Sequence, residues 1–262
     1  SRSAHSTACR GVIDTWTEAV LVVLAGVGAG TINTVVGSGT LITFPTLLAF
    51  GVPPVVANVT NTVGLLPGGL SGAWADKESL VGQGPRLRHL ASASLTGAIV
   101  GALLLLWLPS TAFKSIVPVL IGLGVALVIA GPAINRRLAQ HSTQSGTPAW
   151  WVWPGVWATG VYGGYFGAAQ GVLLMAILGI GVNDTMRRHN ATKKILSSVA
   201  NGVAALMFVV LADVDWRVAP LIALGAVVGG QLGARIGKRL PPTVLRAVIV
   251  LVGLIAIFSL LR

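Results

Sequence analysis

Ten apolar runs follow one another along this chain, at 19–36, 39–50, 57–74, 90–108, 115–134, 151–168, 171–182, 195–212, 217–234 and 244–261. A helix needs about 20 residues to cross the roughly 30 Å hydrocarbon core of a bilayer, and eight of the ten runs approach or reach that length. Backbone polar groups in lipid must be satisfied internally, so such runs read as helices. Of the 262 residues, 54% are hydrophobic and only 10% charged; a soluble domain carries about 25% charged residues. These proportions exclude a soluble globular enzyme and a disordered chain. The single cysteine, Cys9, excludes a disulfide scaffold. A net charge of +11 would suggest nucleic acid in a soluble protein, but here the basic residues lie between apolar runs. The lipid bilayer is the expected partner, and no nucleic acid is. The class is an all-α polytopic membrane protein.

Two runs, 39–50 and 171–182, are too short to span alone. Each follows a longer run after a break, Gly37-Ser38-Gly39 or Ala169-Gln170-Gly171. This pattern predicts broken or re-entrant helices, with run 19–36 alternatively a full span. The chain also repeats itself. At an offset of 132, Gly39 and Leu41 meet Gly171 and Leu173, and Asn58 and Thr60 meet Asn190 and Thr192. Further on, Gly97 and Gly101 meet Gly229 and Gly233, and Leu108-Pro109 meets Leu240-Pro241. Chance apolar similarity would not hold Gly, Asn and Pro in one register. The expected organisation is a polar tail at 1–18, a first membrane repeat at 19–134, a cytoplasmic linker at 135–150 and a second membrane repeat at 151–262.

Orientation follows from Lys and Arg, which favour cytoplasmic flanks. Thirteen of the 18 lie in segments 75–89, 135–150, 183–194 and 235–246. If all four segments are cytoplasmic, 57–74 runs inward and its mate 195–212 outward. The expectation is therefore two inverted-topology repeats, each a broken or re-entrant helical hairpin followed by three transmembrane helices. Many secondary transporters have this architecture and place the substrate near the midplane.

No Asp or Glu falls inside any of the ten runs. Intramembrane carboxylates usually mark cation or proton pathways, so their absence points away from both. Half-helix N-termini favour anions, and the basic loops would concentrate anions at one mouth. A small anionic substrate follows. No nucleophile–base pair or metal cluster is found in the runs, so no catalytic residue, metal or cofactor is expected, and the protein is not read as an enzyme.

The segment Gly37-Ser38-Gly39-Thr40-Leu41-Ile42-Thr43-Phe44-Pro45, with Gly51-Val52-Pro53 and Ala57-Asn58-Val59-Thr60-Asn61, resembles the signature of the TauE/SafE family. Tyr162-Gly163-Gly164-Tyr165-Phe166-Gly167, Gly171-Val172-Leu173-Leu174 and His189-Asn190-Ala191-Thr192-Lys193 are similar to its second half. The resemblance covers roughly 24–260 and implies export of sulfite or a related sulfur-containing organic anion of the organosulfonate type, from the cytoplasm across the plasma or inner membrane. Ser38 and Thr40 depart from a first motif that is often richer in glycine.

The candidate substrate-binding residues are Asn33, Gly37, Ser38, Gly39, Thr40, Asn58, Gln170, Gly171 and Asn190, with the two breaks expected to meet near the midplane. Each also has a structural reading. Gly37 and Gly39 suit close packing or a tight turn, and Asn58 and Asn190 suit helix N-caps. Lys193 and Lys194, placed at the start of the 195–212 helix against its dipole, serve either positive-inside sorting or anion attraction and gating. An anion channel and an uptake carrier share nearly all these features. The sequence gives no oligomeric state.

Overall fold

The computed structural model describes residues 16–139, 148–236 and 242–261. Ten α-helices run through them: α1 (Trp16–Val35), α2 (Thr40–Ala49), α3 (Pro54–Trp74), α4 (Gly84–Trp107), α5 (Ser110–Ala139), α6 (Val152–Tyr165), α7 (Gln170–Gly181), α8 (Met186–Leu211), α9 (Ala219–Ile236) and α10 (Pro242–Leu261). One 3-10 turn, Lys77–Leu80, lies between α3 and α4. Each apolar run became one helix, and the two short runs became α2 and α7. Most of the tail and part of the 135–150 linker lie outside the described residues.

By length and composition, four of the described helices suffice to cross a membrane: α1, α4, 110–134 of α5, and α8. α3 has 21 residues, but Asn58, Thr60, Asn61 and Thr62 lower its hydropathy. All four of these are buried, so α3 turns its polar stripe inward. Large apolar side chains instead cover the outside, among them Val119 on α5, Val210 on α8 and Leu251 on α10. That distribution suits a lipid exterior and a partly polar interior.

The helix pairs come in two sets related by the repeat. α1 packs on α9 as α6 packs on α4, α3 on α9 as α8 on α4, and α2 on α10 as α7 on α5. α3 meets α8 and α5 meets α10 directly. The most extensive contacts therefore join the first helix of one half to the fourth helix of the other, and the halves interlock. Small residues make this possible. A Cβ on Gly229 would stand 2.0 Å from the Val27 carbonyl oxygen, and one on Gly101 would stand 2.0 Å from that of Val161. Lipid is as apolar as leucine, so close backbone approach and dispersion hold such helices together.

The ends of the bundle differ. At one, the start of α4 and the segment before it touch the α7–α8 linker and the start of α8: Arg86 pairs with Asp184, and Arg188 Nη2 donates to the Val81 carbonyl at 2.7 Å. At the start of α3, the Asp215 amide of the α8–α9 linker donates to Thr60 Oγ1 at 2.9 Å.

Gly229→Leu and Gly101→Leu are expected to wedge their helix pairs apart and destabilise the protein by about 3 kcal/mol, the upper range for overpacking. Gly84→Ala, which meets nothing within 4 Å, is the silent control. Thermal unfolding of the solubilised protein measures all three.

Candidate functional site

α1 and α6 end in the same way. The amides of Val36 and Gly37 both donate to the Ile32 carbonyl, and those of Phe166 and Gly167 both donate to Tyr162. Gly37 and Gly167 then carry φ of +86° and +75°, a left-handed conformation that glycine adopts without strain. The equivalent residues are thus 130 apart at the breaks, whereas α3 and α8 begin 132 apart, at Pro54 and Met186. α7 is two residues longer than α2, 12 against 10, which absorbs the difference. Pairing Gly39 with Gly171, as the sequence register did, is corrected: the turning glycines are Gly37 and Gly167.

The two breaks do meet. A Cβ on Gly37 would lie 2.7 Å from Gly171 Cα, and the Gly171 amide donates to the Gly37 carbonyl at 3.3 Å. The first amides of α7 are thereby used within the protein, since Gln170 donates to Gly167 and Val172 to Ala169. On the other half-helix, the Gly39 amide donates to Asn33 Oδ1 at 3.5 Å.

Beside this contact, Asn33, Gly37, Ser198, Asn201, Lys193 and Lys194 enclose a cavity of about 20 Å³. That is room for about one water. Lys194 is neutralised there, its Nζ lying 2.6 Å from Asp76 Oδ2 and 3.4 Å from the Gly72 carbonyl. Lys193 is 2% exposed; among the described residues its amine makes no direct hydrogen bond or ion pair, and the charges that act on it are those of Lys194 and Asp76. Both lysines sit two turns inside α8, which starts at Met186. The dipole at the helix start, which fades within the first turn, therefore does not govern them. Burial does.

The repeat mate of Lys193 is Asn61, which is fully buried. It accepts from Thr43 Oγ1 and donates to Thr40 Oγ1 at 3.3 Å. One half thus holds a satisfied neutral network where the other holds a buried lysine without a direct partner. Such a group is costly to keep charged, and a negative charge beside Lys193 would lower that cost.

The other candidate residues divide. Ser38 is buried with its Oγ unpartnered, and the Asn58 Oδ1 is likewise unpartnered. Asn58 Nδ2 donates to the Tyr165 carbonyl at 2.9 Å, tying α3 to the end of α6. Gln170 turns toward α6, its Nε2 3.4 Å from the Thr159 carbonyl. Asn190 lines a larger cavity with Lys193. Neither Asn58 nor Asn190 is an N-cap: α3 begins at Pro54, and Thr185 caps α8 by accepting from Arg188. The polar first turn of α8, Met186–His189, hid its true start from hydropathy, and at α3 the Pro53-Pro54 pair read as loop. The sequence reading passed over Asn61, Ser198 and Asn201. The exchange of Asn61 for Lys193 between the halves was the available signal.

At the basic end, Asp184 accepts from Arg86 and from the Thr185 amide. Burial raises its pKa, but the Arg86 hydrogen bond, the Thr185 amide and the charges of Arg86 and Arg188 outweigh this and hold it below the ordinary 3.8.

These features define a multi-pass membrane protein of the transporter class, with two interrupted helices meeting beside a buried lysine. The model of the sulfite exporter TauE/SafE family matches residues 22–260, and the chain belongs to that family. It is 31% identical over 241 residues to a "Probable membrane transporter protein ORF9" of Sinorhizobium sp., covering 89% of this chain and 88% of that protein. It is 25% identical to the "Probable membrane transporter protein YfcA" of Escherichia coli K12, covering 89% and 86%. A "Probable membrane transporter protein" of Haemophilus influenzae is 26% identical, covering 88% and 91%. No solved structure matches the chain. The protein is a membrane transporter of the cell membrane, with a small-molecule substrate and a lipid surround.

Asp184→Asn is expected to cost about 1.5–3 kcal/mol near neutral pH, the scale of hydrogen bonds to charged groups. Because the folded pKa is lowered, the carboxylate's contribution is present above the ordinary value and is lost as pH falls through the folded pKa. Thermal unfolding curves of wild type and variant are therefore expected to converge below pH 3.8.

Proposed function

We propose that the protein carries a small oxyanion, sulfite or a related sulfur-containing organic anion, out of the cytoplasm. The observation that carries this reading is Lys193, a buried lysine with no direct ion-pair partner beside the meeting point of two broken helices. Among the described α-helices the only acid is Glu18, in the first turn of α1, so an anion is the fitting complement. The family's description as a sulfite exporter supports sulfur oxyanions as the substrate class. Asn33, Gly37, Ser38, Gly39, Thr40, Asn58, Gln170, Gly171 and Asn190 form the binding region on this reading, with Lys193 attracting the anion and Lys194 held in reserve by Asp76.

On the same reading the halves lie in opposite orientations across the bilayer. The paired helix contacts and the junction of the start of α4 with the α7–α8 linker support this. A central cavity with room for about one water supports a carrier rather than an open channel. With the cell interior negative, each charge moved outward gains about 2.3 kcal/mol per 100 mV. A dianion gains roughly twice that, so efflux needs no coupling ion.

Proteoliposomes loaded with sulfite are expected to lose it faster when the potential drives anions outward. Lys193→Gln is expected to slow this efflux at least tenfold, with Lys193→Arg keeping part of it. Equal efflux from Lys193→Gln and wild type would overturn the role of Lys193. A strict requirement for a proton or sodium gradient would overturn the uncoupled mechanism.

A further inference from the structure

Lys193 borders a second cavity, of about 210 Å³, which runs between α5, α7, α8 and α10. Asn190 lines it one turn before Lys193, and Arg246 reaches it from the second turn of α10. Arg246 had seemed one of the basic residues that mark a cytoplasmic loop. It stands instead inside a helix, half-buried, with its Nε buried and unpartnered. Buried polar groups are almost always hydrogen-bonded, and two basic groups beside one cavity repel each other whenever both are charged. No acid lines this cavity. A shared anion would relieve both penalties at once.

The rest of the wall is of another kind. Val128 of α5 and Val172 and Met175 of α7 give it an apolar face. A cavity of about 10–15 Å³ already holds a water, so a bare oxyanion would leave most of this space empty. Empty space lined on one side by cations and on the other by Val and Met suits a ligand divided in the same way.

We propose that this cavity is a binding site for a small amphipathic organic anion. Its sulfonate or carboxylate head sits between Arg246 and Lys193 with Asn190 donating a further bond, and its short alkyl body lies against Val128, Val172 and Met175. The proposal rests on reading the chain as an anion transporter; it adds Arg246 as a ligand and makes the apolar wall the determinant of substrate size. Gly131 of α5 also lines the space. A Cβ there would stand 3.8 Å from Val172 Cγ1, so a side chain starts without a clash and extends into the cavity.

The test is calorimetric titration of the protein in phosphatidylcholine nanodiscs, which contain no anionic lipid, with sulfite, butanesulfonate, butanoate and butylammonium. Wild type is expected to bind butanesulfonate, butanoate or both, and not butylammonium. Arg246→Gln is expected to raise the Kd of the bound butyl anions at least tenfold. Gly131→Leu is expected to raise it as much while changing the sulfite Kd less than threefold. Met175→Phe repeats the size test from α7, and thermal unfolding in the same nanodiscs identifies the variants that fold. Unchanged binding in Arg246→Gln, or equal weakening of sulfite and the butyl anions by the folded cavity-filling variants, overturns the site. Sulfite flux in vesicles from a protein that binds no butyl anion overturns the site and leaves the transport reading standing. Binding with these dependences, in a protein that moves no anion, leaves the site and removes the transport reading.

Discussion

The centre of this molecule depends on a contact between two backbones that lack side chains, Gly37 against Gly171. Unwound peptide inside a membrane survives only where protein or enclosed water satisfies it. Here the carbonyl freed at the end of α1 is taken by the amide that opens α7, at 3.3 Å. Any Cβ at either position would meet the other residue's Cα at 2.7 Å. Each interruption therefore helps to satisfy the other. The same contact brings α1, α2, α7 and α8 to one point, which is why a buried lysine on α8 comes to face the break between α1 and α2.

The outer packing serves this centre. α1 is held chiefly by α9 and α6 chiefly by α4, so each broken hairpin is clasped by the opposite half. Edge-to-face contact between Phe44 of α2 and Phe166 at the end of α6, with ring centroids 5.1 Å apart, fills the space behind the breaks. Asn58 adds a polar tie from α3 to the Tyr165 carbonyl. The broken segments are short, and their positions come from neighbours rather than from their own length.

Much of this was legible in the sequence because bilayer thickness imposes a length on apolar runs, and each run became a helix. The interruption after Gly37 was legible because small residues separate a long run from a short one. Helix starts were not, since α8 opens on the polar turn Met186–His189 and α3 opens just after Pro53 at Pro54, where a proline pair reads as loop. That error moved Asn58, Asn190 and both lysines from helix ends to helix interiors, where their environment is burial rather than a dipole. The local register at the breaks was also hidden. A sequence match between Gly39 and Gly171 looks as good as one between Gly37 and Gly167, and the matching helix ends at Val35 and Tyr165, with their shared carbonyls, pair Gly37 with Gly167. Arg246 lay in both the basic segment 235–246 and the apolar run 244–261, and the helix start at Pro242 places it in the second turn of α10.

The two halves share one backbone plan and differ in what they place at its most buried polar position. Asn61 is surrounded by Thr40 and Thr43 from α2, which meet its amide with hydroxyls. Around Lys193, α7 contributes Val172 and Met175, which accept nothing. Had the second half kept hydroxyls there, the lysine would have had local acceptors and less need of a ligand. Had it kept asparagine, no charge would stand at the break. Changing both together, the position and its surroundings, leaves a buried lysine with no direct ion-pair partner. On the proposed reading, such a lysine binds an anion that is free to leave, whereas an arginine–carboxylate pair would be filled from within. On that reading, the difference between otherwise matching halves is what makes a duplicated scaffold a site for a transported anion.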